Sequence, residues 1–107
     1  MATLMLENGA DVLPSTARRE AGFQLGRVQA GLDPDDWKPL ADIGSGMREI
    51  RIRDSAGIYR VMYVAKFEEA IYVLHCFQKK TQATSKHDKE IAETRYRVVV
   101  RERKEQK

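Results

Sequence analysis

An α+β fold is predicted by three features of this chain. A helical stretch follows Pro14, where Ala17, Ala21, Leu25 and Val28 recur at the spacing of one helix face. Met47–Asp54 alternates with a period of two, with Ile50 and Ile52 on one face and Glu49, Arg51 and Arg53 on the other. Ser85 and Asp88 stand three apart, as in a capping box, ahead of a second helical stretch. The expectation is an N-terminal helix or helices packed on a twisted, mainly antiparallel sheet of three to four strands, closed by a C-terminal helix.

The elements follow in order. Residues 1–13 are an uncertain segment in which Thr3-Leu4-Met5-Leu6 has the makings of a short strand before the turn signal Asn8-Gly9. Ser15 or Thr16 is expected to cap the first helix. Gly22 and Gly26, four apart, are expected to allow close helix packing, and Gly31 with Asp33-Pro34 ends the element. Asp35–Leu40 reads as a connector, its Trp37 as a lid over the core. Gly44-Ser45-Gly46 breaks the chain, and no helix follows it as a phosphate loop would require.

Asp54-Ser55-Ala56-Gly57 is a compact turn, so the next strand returns antiparallel. Tyr59, Val61 and Tyr63 then join Ile50 and Ile52 in the core. Arg51, Arg53 and Arg60 are expected to emerge together on the opposite face, in a register that a one-residue slip would destroy. Glu68-Glu69 marks another turn. The stretch Ile71–Phe77 is apolar on both faces, as a strand covered on both sides should be. In the last helix Ile91, Ala92, Tyr96, Val98 and Val99 supply an apolar side. Val98-Val99-Val100 is a poor helix former and is expected to end it early, leaving 101–107 as a frayed tail.

At 107 residues, 42% hydrophobic and 33% charged, the chain fits one folded domain rather than a disordered one. Nineteen basic against sixteen acidic residues give a net charge of +3, which suits a nucleic-acid partner without requiring one. Cys76 stands alone, so no internal disulfide forms and a buried inert thiol is expected. There is no apolar run of membrane-spanning length and no secretory leader pattern, so a cytoplasmic location is the expectation.

Two groups of residues carry candidate chemistry. Arg51, Arg53 and Arg60, with Lys79 and Lys80 at the end of the third strong strand, can grip phosphate; arginine does so through a planar fork that stays charged. Held rigidly, they would offset charge that builds on phosphorus during RNA cleavage. The bland alternative is a solvated face with salt bridges to Glu49 and Asp54. His75, between Val73 and Phe77, reads as a hydrogen-bonded core histidine, and His87 as a surface residue. No spacing suggests a metal site or a bound cofactor.

Four segments carry a family likeness: Trp37-Lys38-Pro39-Leu40, Gly44-Ser45-Gly46-Met47-Arg48-Glu49-Ile50-Arg51, Tyr59-Arg60-Val61-Met62-Tyr63, and Tyr72 through Phe77-Gln78-Lys79-Lys80-Thr81. Together they resemble the phage-derived, HigB-like branch of the RelE/ParE toxin superfamily. The likeness covers Arg18 to Tyr96, and Phe77-Gln78-Lys79-Lys80 is its most specific piece. It implies a small RelE-like fold and a toxin neutralised by a helix-turn-helix antitoxin. In the RelE and HigB branches it implies metal-independent mRNA cleavage on the translating ribosome, by attack of a ribose 2′-hydroxyl to leave a cyclic phosphate.

Catalytic roles would fall to Arg51 and Arg53 before the hairpin, to Arg60 of the Tyr59-Arg60 pair, and to Lys79 or Lys80. Two departures stand out. The first tyrosine after Lys80 is Tyr96, far along the helix, which leaves the general base unassigned, with His75 or His87 as substitutes. The long first strand usual in the superfamily is also missing. Two other readings stay open: a ParE-like protein that binds DNA gyrase and cuts nothing, and an inactive phage relic that binds only its antitoxin or acts as a DNA-binding co-repressor.

Overall fold

The computed structural model describes residues 3–5, 12–67, 70–79 and 84–105. Its elements run β1 (Thr3–Met5), α1 (Ser15–Gln29), β2 (Trp37–Pro39), β3 (Met47–Asp54), β4 (Gly57–Val64), β5 (Ala70–Gln78) and α2 (Lys86–Glu105). The strands form one sheet in the order β1-β5-β4-β3-β2, with β1 parallel to β5 and every other pairing antiparallel. The fold is α+β, with a helix on each face of the sheet.

Alternation along the strands decides which helix each side chain meets. Ile50, Ile52, Tyr59, Val61, Tyr63, Ile71, Val73 and Cys76 point to one face, where they pack with Leu13, Ala17, Ala21 and Leu25; the last three are the predicted stripe of α1. Met47, Met62, Val64, Leu74 and Phe77 point to the other, under Ala92 of α2 and beside Leu40 and Ile43. The hairpin has the expected register, Asp54 opposite Gly57 and Ile50 opposite Val61. Asp54 Oδ2 accepts the Ala56 amide at 3.1 Å and holds the turn, while Gly57 takes φ 143°, a value few side chains tolerate.

On β5 the register shifts between Met62, opposite His75, and Tyr63, opposite Val73. The extra residue is Leu74, and the bulge lets both Leu74 and His75 face α2. His75 Nε2 lies 2.8 Å from Asp88 Oδ1, Ser85 Oγ donates to Asp88 Oδ2 at 2.6 Å, and Arg95 donates to the Leu74 carbonyl at 2.8 Å. The capping pair Ser85/Asp88 is therefore present, and His75 is the hydrogen-bonded histidine its neighbours suggested. His87 is exposed.

Several expectations need correcting. The sheet has five strands, because Trp37–Pro39 pairs with β3 instead of acting only as a connector. Thr16 does not cap α1; its hydroxyl donates to Asp54 Oδ1 at 2.5 Å, and α1 begins after Pro14 with no side-chain cap. Gly22 and Gly26 lie on the solvent side of α1 with open space around them, since the buried stripe is on the other side. The helix α2 runs through its valines to Glu105, because Val99 packs on the second core cluster and Arg103 sits 3.8 Å over the Phe67 ring. Tertiary contact overrides weak propensity there. The Asn8-Gly9 and Glu68-Glu69 turns lie outside the described residues. No helix among the described residues is long and apolar enough to cross a membrane.

Candidate functional site

The β3–β4 register sets Arg51 directly opposite Arg60, an arrangement that like charges make unfavourable. Both project from the sheet face that also carries Glu49. Arg60 is only 1% exposed and Glu49 only 2%, and the Arg60 guanidinium donates through Nη1 to Glu49 Oε1. Glu49 Oε2 accepts from Thr84 Oγ1 at 3.1 Å, which ties the segment leading into α2 to the same carboxylate. Lys38 Nζ approaches Glu49 Oε1 to 3.9 Å from the neighbouring β2, where Lys38 stands opposite Glu49. One carboxylate thus sits among several cations.

A pocket of about 90 Å³ opens at this cluster, lined by Asp36, Trp37, Lys38, Glu49, Arg51 and Arg60. Two of the residues that line it carry an orphaned donor. Neither Arg51 Nε nor Arg60 Nε, both buried, has a hydrogen-bond partner among the described residues. The carboxylate of Asp36 lies 3.9 Å from Arg51 Nε, an ion pair beyond hydrogen-bond reach. Buried donors without partners are costly, and a site that holds two of them on cations is suited to an anion.

The electrostatics show the same convergence. Desolvation holds Lys79 below the ordinary lysine value, and the positive charges of Arg60, Arg51, Lys38 and Arg53 push it the same way. Burial likewise lowers Lys38, helped by Arg60, Lys89 and Arg51 and opposed by Asp42. Burial also lowers Arg60, with Asp36 pulling the other way. Lys79 thus stands in the field of Arg60, Arg51, Lys38 and Arg53, and Lys38 in that of Arg60 and Arg51.

Of the residues singled out from the sequence, Arg51 and Arg60 line the pocket and Lys79 stands in their field. Arg53 is exposed and borders a separate cavity of about 370 Å³ with Arg51, Asp35, Asp36, Glu20 and Thr16, between α1 and the open edge of β3. Lys80 lies outside the described residues. Arg60 does not emerge at the surface as expected: the register is right, but Glu49 on the adjacent strand captures its guanidinium and buries it. Glu49 was visible as the acidic member of the Arg51/Arg53 strand face. Lys38 was hidden because the pairing of β2 with β3 was not foreseen.

Tyr96 is not part of this group. It bonds to the Ser45 carbonyl at 2.9 Å and to Lys66 at 3.0 Å, beside Gly44, near the β3 end that carries Met47 and away from the hairpin. The glycine-rich turn Gly44-Ser45-Gly46 is thus a packing surface for α2.

A family model described as "Phage derived protein Gp49-like (DUF891)" matches residues 10–97, which include every described residue of the pocket. No curated protein matches the chain.

Proposed function

The chain belongs to the phage-derived Gp49-like family, and from that premise we propose that it is a RelE-like toxin, of the HigB-like branch, that cleaves mRNA at the Arg51/Lys38/Lys79 cluster. The observation that carries this is the convergence of Lys38, Arg51 and Arg60 on one pocket, with Lys79 in their field. A phosphodiester is an anion that such a cluster of cations can hold.

Arg51, Lys38 and Lys79 would hold the scissile phosphate, with Arg53 and Lys80 on the flanking backbone. Glu49 would stay ionised beside Arg60, and a water molecule at the pocket would take the proton of the ribose 2′-hydroxyl. The freed oxygen attacks phosphorus, the bond to the 5′-oxygen breaks, and that oxygen takes a proton from water. The products are a 2′,3′-cyclic phosphate and a 5′-hydroxyl. Arg60 would be a positioning residue, acting through Glu49 by fixing its carboxylate and adding its charge to the field of the pocket. By the same resemblance, a helix-turn-helix antitoxin would hold the toxin silent, and the translating ribosome would present the mRNA.

A second, non-nuclease reading has one observation in its favour. Phe23 stands 58% exposed on α1, away from the pocket, as a surface that docks on a protein such as DNA gyrase would. Inducing the protein in cells and following mRNA integrity beside plasmid supercoiling separates the two. Early loss of full-length mRNA with unchanged supercoiling supports the nuclease; relaxed plasmid with intact mRNA overturns it.

A further inference from the structure

Strand β3 spaces charge at regular intervals. Glu49, Arg51 and Arg53 alternate with Arg48, Ile50 and Ile52, so they share one face of the sheet, two residues apart. At about 3.4 Å of rise per residue, each step measures about 7 Å, close to one nucleotide of an extended strand. Neighbouring strands widen each step into a row. Ile58 stands opposite Arg53, and its carbonyl accepts the Lys79 amide at 2.7 Å. Arg60 stands opposite Arg51, and Lys38 opposite Glu49. Cations thus recur from Arg53 and Lys79, through Arg51, to Lys38.

The series continues onto α2. Strand β2 runs antiparallel to β3, so the chain beyond Pro39 heads towards Met47 and away from the hairpin, and the Leu40 amide donates to the Met47 carbonyl at 2.8 Å. Asp42 lies on that segment, and its Oδ2 is 3.7 Å from Lys89 Nζ in the first turns of α2. The same end of α2 is tied to the row of Lys38 by the Thr84 hydroxyl, which donates to Glu49 at 3.1 Å. Burial lowers the Lys38 pKa, and the charges of Arg60, Lys89 and Arg51 lower it further while Asp42 opposes them. Both members of the Lys89/Asp42 pair therefore act on Lys38. With side chains 43% and 67% exposed, they form a surface pair that contributes little to the fold. An anion can take the place of Asp42 at little cost.

We propose that the RNA strand lies along β3 and that Lys89 grips the phosphate next to the scissile one, on the side away from the hairpin, in place of Asp42. This rests on the RNA reading of the pocket and deepens it. In that reading the flanking contact among the described residues, Arg53, lies towards the hairpin; Lys89 supplies the opposite side. The bound strand then spans three consecutive phosphates, one in the pocket and one on either side. Asp42 holds Lys89 beside Lys38 until the strand arrives.

Length and salt dependence test this. A fluorescein-labelled 2′-O-methyl hexauridylate, which has no free 2′-hydroxyl and so cannot be cut, is titrated with the whole protein, and anisotropy reports binding. An unlabelled 2′-O-methyl uridine dinucleotide, with a single phosphodiester, is the competitor that fills the pocket alone. Lys89→Gln is expected to weaken hexamer binding several-fold. It should also flatten the slope of log affinity against log salt by about 0.7, the loss of one phosphate contact to a single strand. Dinucleotide binding should not change. Asp42→Asn should tighten hexamer binding, and that gain should vanish in the Asp42→Asn/Lys89→Gln double variant. Arg51→Gln should weaken both ligands.

Unchanged hexamer affinity and salt slope in Lys89→Gln, with binding still weakened in Arg51→Gln, overturn the Lys89 contact and leave the phosphate pocket standing. Equal weakening of hexamer and dinucleotide by Lys89→Gln also overturns it, since Lys89 would then act only through its field. A hexamer that does not bind, or that binds as well in Arg51→Gln, overturns the path together with the RNA reading. Lys89 and Asp42 lie at the surface, so their variants should fold, and thermal unfolding of each checks that they do.

Discussion

Arg60 and Glu49 form an ion pair across β3 and β4 with both side chains about 2% exposed, on the sheet face that holds the cationic pocket. Two charges taken out of water on adjacent strands are stable only as a pair. The arrangement makes Arg60 a fixed part of the sheet and leaves Arg51, Lys38 and Lys79 as the cations with freedom to meet a ligand.

Removing one partner strands the other. Arg60→Ala is predicted to destabilise the fold by about 3–5 kcal/mol, the usual cost of an uncompensated buried charge. The double variant Arg60→Met/Glu49→Leu regains most of that, because an apolar pair of similar volume needs no desolvation compensation. Urea denaturation of the three proteins checks this. The double variant should fold and be inactive, which separates the structural role of the pair from its part in the site.

The cationic pocket is crowded with like charge, and an anion relieves it. Pyrophosphate is predicted to raise the melting temperature of the wild-type protein through linkage to the folded state. The rise should shrink in Arg51→Gln and in Lys38→Gln. Neutral salt at matched ionic strength controls for screening. For a single-stranded RNA probe, three to four phosphate contacts correspond to a slope of about −2 to −3 in log affinity against log salt, and Lys79→Gln should flatten it by about 0.7.

The outline of the fold was legible in the sequence, and the reason is local. Period-two alternation in Met47–Asp54 and the short turn Asp54–Gly57 together fix a register, and that register places Ile50 and Ile52 with Tyr59, Val61 and Tyr63. The facing of Arg51 and Arg60 follows from the same count. The burial of Arg60 did not, since it depends on Glu49 and Thr84, residues 11 and 35 positions apart from their partners along the chain. Lys38 and Trp37 were missed as pocket residues because three residues of edge strand carry too little pattern to announce a pairing. The full length of α2 was missed because the contacts of Val99 and Arg103 with Phe67 and its neighbours are non-local.

The docking of α2 should respond to acid. Burial raises the Asp88 pKa, but hydrogen bonds from Ser85 and His75 outweigh it and hold the carboxyl below its usual value. A carboxylate with a folded pKa below the unfolded one contributes stability that is fully present above the unfolded value. That contribution is lost as pH falls through the folded one, so the loss begins near pH ~4 and deepens below it. Asp88→Asn should be less stable than wild type at pH 7, and the difference should narrow as pH falls. Urea midpoints taken from pH 7 down to pH 3 would show it.

Gly44 is predicted to resist enlargement. A Cβ there would stand 2.6 Å from Tyr96 Cε1, too close for real atoms, and the ring is held by its hydrogen bonds to Ser45 and Lys66. Gly44→Ala should cost about 1–3 kcal/mol through overpacking. Tyr96→Leu in the same protein should recover part of the loss, and thermal unfolding of the single and double variants measures the coupling.

The most direct test of the central claim is the chemistry at the pocket itself. A translation reaction programmed with one mRNA is given the purified protein, and the RNA ends are identified by mass spectrometry. The account predicts fragments ending in a 2′,3′-cyclic phosphate with matching 5′-hydroxyl ends, lost by at least about a hundredfold in a folded Arg51→Ala variant, as when one preorganised charge-stabilising donor is removed. Intact mRNA with the wild-type protein, or cleavage undiminished in Arg51→Ala, would contradict it.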